Sequence, residues 1–279
     1  MKHTKVNNAR IMSCLLLLVC MVVLLSCEKV VDINLNDADP ALVIEGNISD
    51  LSTTHYVSIS KTVPFSANST DNPVTGAVVQ VLEEATNDSS TGFNAPAKGV
   101  RSFTEVSPGL YSIRNYRAYP GMKYTLTVVV EEETYLAEAI MPRPIAIDSI
   151  GTVTDNIFGE EEKMVGVVYQ DPPNEQNYYR YILTINGAVS SSIFVYNDKF
   201  NDGKKVQRNL YDEDLEVFTR DSVMVEQQSI TQAVYTYFNG IRSNNPGSAA
   251  PANPQSNFSN GALGYFSAHG VRQASTIIE

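Results

Sequence analysis

The chain has 279 residues, with 20 Lys+Arg against 31 Asp+Glu and a net charge of −11. A surface of that sign repels nucleic acid and anionic lipid headgroups, so neither is expected as a partner. The acids are dispersed along the chain, which points to solubility in a crowded environment.

Lys2, Lys5 and Arg10 precede an apolar run from Ile11 to Leu25, and Ser26 stands directly before Cys27. A spanning helix needs roughly 20 apolar residues, so this run is short for one and suits an export signal. Leu24-Leu25-Ser26-Cys27 reads as a lipobox: the small Ser26 admits a peptidase and the Cys27 thiol takes the lipid. Cys14 and Cys20 are poor rivals, because Cys14 has little apolar chain before it and Cys20 follows Val19. A lipoprotein signal over 1–26 fits better than an ordinary secretory signal or an uncleaved anchor. Its removal takes three cations and no acid, moving the net charge to −14, and leaves no free thiol once Cys27 is lipidated. Disulfides, Cys-ligated metals and Cys nucleophiles are then excluded. The remaining length exceeds one typical core, and two domains are expected.

Val31 to Leu35 alternates apolar and polar residues and predicts a strand close to the lipid. Leu42–Gly46 and His55–Ser60 predict the next strands, and Val74–Leu82 another, followed by a polar loop over 84–99. Arg101–Val106 and Gly109–Ile113 flank a Ser107-Pro108-Gly109 turn. Pro120-Gly121 leads into a strand whose Tyr124 is expected to close a sandwich corner by bonding backbone. With Asn72-Pro-Val-Thr-Gly-Ala-Val-Val-Gln-Val81, this phrase resembles the prealbumin-like regulatory sandwich that accompanies carboxypeptidases and many envelope proteins. Glu131 to Glu133 turns into a strand over Thr134–Met141, and Pro142-Arg143-Pro144 marks a stiff boundary.

Ile145–Ile150, Met164–Tyr169 and Tyr178–Ile185 predict strands, the last ending in an Asn186-Gly187 hairpin signal. Ser192–Tyr196 and Asp221–Gln228 follow. Ser229-Ile-Thr-Gln232 reads as a capping box, with Ile230, Val234, Tyr237, Phe238 and Ile241 on one face of a helix over about 230–242. A long loop runs from Ser243 to Asn260, and Gly264–Ser267 and Ala274–Ile278 close the chain as strands. The expected fold is all-β with two antiparallel domains. The first, 27–141, is an immunoglobulin- or prealbumin-like sandwich; the second, 142–279, is a sandwich or partly closed barrel carrying the helix.

Several phrases occur together: Cys27-Glu-Lys-Val-Val-Asp32, Leu42-Val-Ile-Glu-Gly46, Met141-Pro142, Ile147-Asp-Ser-Ile150, Asp171-Pro-Pro-Asn-Glu-Gln-Asn-Tyr-Tyr-Arg180 and Gly261-Ala-Leu-Gly-Tyr-Phe-Ser267. In order and spacing the chain resembles the Bacteroidota lipoproteins gathered as domain-of-unknown-function 4249. The resemblance implies an outer-membrane lipoprotein, often encoded beside a TonB-dependent transporter, at the cell surface or the periplasmic face. It carries over no catalytic residue.

After processing, His55 and His269 are the remaining histidines, too few and too far apart for a triad or a His-based metal site. Ser267 in Gly264-Tyr-Phe-Ser-Ala-His-Gly270 has its glycines three residues away and a strand context, so a hairpin is expected instead of a nucleophile turn. Asp198-Lys-Phe-Asn201-Asp202-Gly203 and Asp212-Glu213-Asp214 have enough carboxylates to suggest calcium. The first lacks EF-hand spacing, however, and a polar turn explains it. No metal, cofactor or catalytic residue is expected. Tyr116, Arg117 and Tyr119, with Arg114 close by, combine residue types that dominate interfaces and form the candidate partner-binding group; the loop 243–260 is a second candidate. The expected function is a lipid-anchored outer-membrane binding protein accessory to a TonB-dependent transporter in nutrient uptake. The alternative is an adhesin or structural envelope lipoprotein, with an enzyme as a third class.

Overall fold

The structure, a computed structural model, describes residues 39–63, 72–86, 98–157, 159–243 and 253–279. The signal segment, Cys27, the strand expected at Val31–Leu35, and residues 87–97 and 244–252 of the two long loops lie outside these. Asp39–Glu279 forms one compact unit. Among the described residues, no helix is long and apolar enough to cross a membrane.

The all-β expectation holds. Among the described residues sixteen strands build three sheets, and none of these closes into a barrel. In the first half, β1 (Leu42–Ser49), β2 (Thr53–Lys61), β6 (Leu110–Tyr116) and β5 (Thr104–Ser107) lie side by side in one sheet. A four-stranded sheet runs β4 (Gly99–Ser102), β3 (Val78–Glu84), β7 (Lys123–Val130) and β8 (Glu133–Ile140). The facing sides follow the period of two: Tyr124, Leu126 and Val128 of β7 point inward, as do Val79 and Val81 of β3. They meet Ile44, Ile48, Val57, Ile59 and Tyr111 in one apolar core. The single strand expected over Arg101–Val106 is two strands in two sheets. Phe103 marks the crossing, buried and with its amide donating to the Val79 carbonyl at 2.9 Å.

The second half pairs a three-stranded sheet against a continuation of the large one. The three are β14 (Lys205–Leu210), β10 (Glu160–Gln170) and β9 (Ile147–Ile157), the last two forming a long hairpin. Facing them are β11 (Tyr178–Ile185) and β15 (Ser222–Ile230), with the short β12 (Ala188–Val189) and β13 (Phe194–Asn197) on β11. Val165, Val167, Tyr169, Tyr179, Tyr181, Leu183, Val223 and Val225 fill this second core. Asn186 and Gly187 turn from β11 to β12 with φ of 51° and 84°, the two positive values a type I′ hairpin needs.

Two closing strands separated by a turn were expected, but Leu263–Ile277 is one continuous strand, β16, with His269 inside it. Its first part, Leu263 to His269, pairs in parallel with β1; from Gly270 to Ile277 it pairs antiparallel with β15. The two halves of the chain therefore share a sheet across the expected boundary at 141/142. Phe258, Ala262, Phe266 and Ala268 from the second half also complete the first core. Gly270 sits at the change of partner against Pro144, where an added Cβ would approach the proline nitrogen to 2.7 Å.

The one helix among the described residues, α1, spans Gln232–Ser243 and buries Val234, Tyr237 and Phe238, the face expected from the sequence. Its cap is different. Ser229 and Ile230 stay in β15, paired with Tyr179 and Tyr178, and the Ser229 hydroxyl is buried without a hydrogen-bond partner among the described residues. Thr231 caps the helix instead: its Oγ1 accepts from the Val234 amide at 3.4 Å and its carbonyl from Tyr235 at 3.0 Å. Sheet pairing outcompetes the local box, because two neighbouring strands already hold the backbone at Ser229.

Candidate functional site

The end of β6 forms a groove of about 590 Å³ with neighbouring strands. The β2–β6 register shifts between Thr53 and His55, which pair with Tyr116 and Ile113, and Asn115 takes φ 52°. This bulge sets two β6 residues opposite one on β2, so the alternation of faces breaks. Arg114 and Asn115 both face solvent, and Tyr116 returns to the interior.

Tyr116 is thus an internal support for the groove. Its ring lies edge-on to His55 at 5.9 Å, its carbonyl accepts from His55 Nε2 at 2.9 Å, and its hydroxyl donates to Glu83 Oε2 at 2.9 Å. Burial, with Glu83 beside it, holds this phenol protonated well above the ordinary tyrosine range. Glu83, on the inner face of β3, has its other oxygen 3.2 Å from both Nε and a terminal nitrogen of Arg101. Gly99, opposite Glu83 in the β3–β4 register, leaves room for that carboxylate: a Cβ there would lie 2.9 Å from its Oε1.

Arg117 is exposed, its guanidinium carbon 5.8 Å from the centroid of the half-buried Tyr119 ring. The segment between them is fixed on both sides. Ala118 donates its amide to the Ser49 carbonyl at 2.9 Å, and Tyr124 Oη accepts the Tyr119 amide at 2.6 Å while facing the Tyr119 carbonyl at 3.3 Å. This is the tyrosine corner read from the sequence. Of the candidate group, Arg117 and Tyr119 reach the groove surface and Tyr116 holds them from beneath. Arg101 and Glu83 were not singled out from sequence, since their meeting depends on cross-strand register.

A second cluster joins Asp198 and Asp202 to Asp171, with one carboxylate oxygen from each lying within 4.8 Å of the others. Each also holds a backbone amide: Gly203 to Asp171 at 3.2 Å, Asn177 to Asp198 at 2.7 Å and Asn174 to Asp202 at 2.8 Å. Tyr179 donates to Asp171 at 2.6 Å, and burial raises the Asp171 carboxyl above its usual range. These bonds brace the 171–177 turn against the 198–203 turn. Asp212 belongs elsewhere, accepting from the Ser190 hydroxyl and the Asp214 amide.

Ser267 and His269 are neighbours on β16, with Oγ and Nδ1 2.9 Å apart, in place of the expected hairpin. Both are buried. The nearby Asp50 engages the Val271 amide and Arg272, not the imidazole, so the three do not line up as a triad. Of the second partner-binding candidate, the loop 243–260, Ser243 belongs to α1 and residues 253–260 are described, with Asn257 tied to both backbone groups of Phe266 at 2.9 Å. Comparison with curated proteins finds no match. Residues 28–275 match the family described as Domain of unknown function (DUF4249), and the chain belongs to it.

Proposed function

We propose that the protein is a lipid-anchored binding protein of the outer membrane that assists a TonB-dependent transporter in nutrient uptake. The observation that carries this reading is the groove at the end of β6. Arg114, Arg117 and Tyr119 face outward there on backbone that buried tyrosines hold in place. Such preorganisation reduces the ordering cost of binding and is the economical way to build a recognition surface. The anchor is Cys27, and the resemblance set out from the sequence supplies the transporter.

Cross-linking in native membranes followed by purification of the tagged full chain tests the reading. Recovery with a TonB-dependent transporter in a stable stoichiometry is expected. Recovery alone, with the protein adhering to matrix glycans, would replace it with the adhesin reading. Cys27→Ala should release the protein from membranes: stable anchoring takes about two acyl chains, each buried CH₂ contributing about 0.8 kcal/mol, and an acidic surface offers no substitute. Retention of this variant at high salt would remove the anchor from the proposal.

A further inference from the structure

We infer that the groove bounded by Arg101, Arg114, Arg117 and Tyr119 binds the acidic group of a charged oligosaccharide, an inference that rests on the binding-protein reading above.

Three arginines lining one groove is a local reversal of sign in a chain of net charge −11. Arg101 is matched by Glu83 at 3.2 Å. Arg114 and Arg117, both exposed, form no ion pair among the described residues. A guanidinium presents a planar fork of donors that fits a carboxylate or sulfate through two parallel bonds. The groove thus offers two such forks with their charge uncompensated, next to a third fixed by a buried acid.

The rest of the lining selects among anions. Ser52 and Asn115 supply a hydroxyl and an amide, and Tyr119 presents a ring whose backbone is clamped by Tyr124. Hydroxyl partners beside one flat aromatic face suit a sugar ring. An acidic peptide would need apolar pockets for alternate side chains, and Ile113 is the single aliphatic residue among the described residues of the lining. Nucleic acid needs a run of cations to displace its counterions, which three arginines within an acidic surface do not supply.

The test is calorimetric titration of the full mature chain with a trigalacturonate, a heparin-derived hexasaccharide, neutral maltotriose and a polyglutamate peptide. One or both acidic saccharides should bind, and the preferred one tells whether carboxylate or sulfate is recognised; maltotriose and polyglutamate should not. The double variant Arg114→Ala/Arg117→Ala should weaken binding by about tenfold or more, because it removes both charge-assisted forks. Arg143→Ala, an exposed arginine outside the groove, should bind as the parent does, and unchanged thermal unfolding of the double variant shows that its fold is intact. Polyglutamate binding as well as the saccharides would overturn the inference, because charge alone would then suffice. So would failure of both acidic saccharides to bind. If that failure came with an intact transporter complex, the binding-protein reading would survive it; without that complex, both would fall.

Discussion

Asp50 Oδ1 accepts the Val271 amide at 2.7 Å at the point where β1 ends and β16 continues. The ladder with β1 stops at Ser49↔His269, so the Val271 amide, two residues on, would face the interior without a partner. Asp50 supplies that partner from the residue after the strand, and its other oxygen takes Arg272 at 3.0 Å. Asp50→Ala should cost about 2–4 kcal/mol, the loss of a charge-assisted bond plus a stranded buried donor. Asp50→Asn keeps an acceptor and should cost about half as much; urea denaturation of the two variants checks the order.

The two described histidines make stability depend on pH in one direction. Burial depresses His55, and burial together with the charges of Arg180 and His55 pushes His269 down to about 3. In the unfolded chain each titrates near 6.5, so between the two values the unfolded state binds more protons. Their contribution is complete above pH 6.5 and is lost as the pH falls toward 3, on the order of 4 kcal/mol for His269. In His269→Gln the fall in urea midpoint between pH 7 and pH 4 should be shallower than in the parent.

Tyr124→Phe should leave the first core filled but strand the Tyr119 amide, at a cost of about 1–2 kcal/mol. Hydrogen exchange gives the sharper readout: the Tyr119 amide should exchange faster while those of Leu126 and Val128, deep in β7, keep their protection.

Gly264 has φ +93°, and a Cβ there would lie 2.0 Å from the Ile44 carbonyl oxygen. Gly264→Ala should therefore disrupt the β1–β16 pairing and cost about 3 kcal/mol or more. Gly151→Ala, where a Cβ meets nothing within 4 Å among the described residues, should change stability by less than about 0.5 kcal/mol. Thermal unfolding of the pair separates the close approach from the general effect of replacing a glycine.

The features legible in the sequence were those set by neighbouring residues. The inward stripe of β7, the positive φ values at Asn186-Gly187, the Tyr124 corner and the buried face of α1 all depend on spacing within about a dozen positions. The features missed depend on distant partners. Ser229 looks like a cap until Tyr179 pairs with it, and the stretch around His269 looks like a turn between two strands until β1 and β15 lie alongside. β14 carries no alternation strong enough to announce it, since Val206 and Leu210 are its buried residues and its polar positions rest on β10. At the groove, Arg117 and Tyr119 stand out by type. The inward turn of Tyr116 follows from a bulge at Asn115 that only pairing with β2 reveals.

The parallel ladder from Val43↔Leu263 to Ser49↔His269 ties strands some 220 residues apart along the chain. Contacts of such separation are slow to form, because a long loop must close before any of them is made. A chain delivered from its N-terminus therefore holds β1 without this neighbour until the residues from Leu263 onward have arrived. β15, which buries Val223 and Val225 in the other core, waits for the same strand. The bulk of each core comes from a different half of the sequence, yet both wait for β16 and reach completion together.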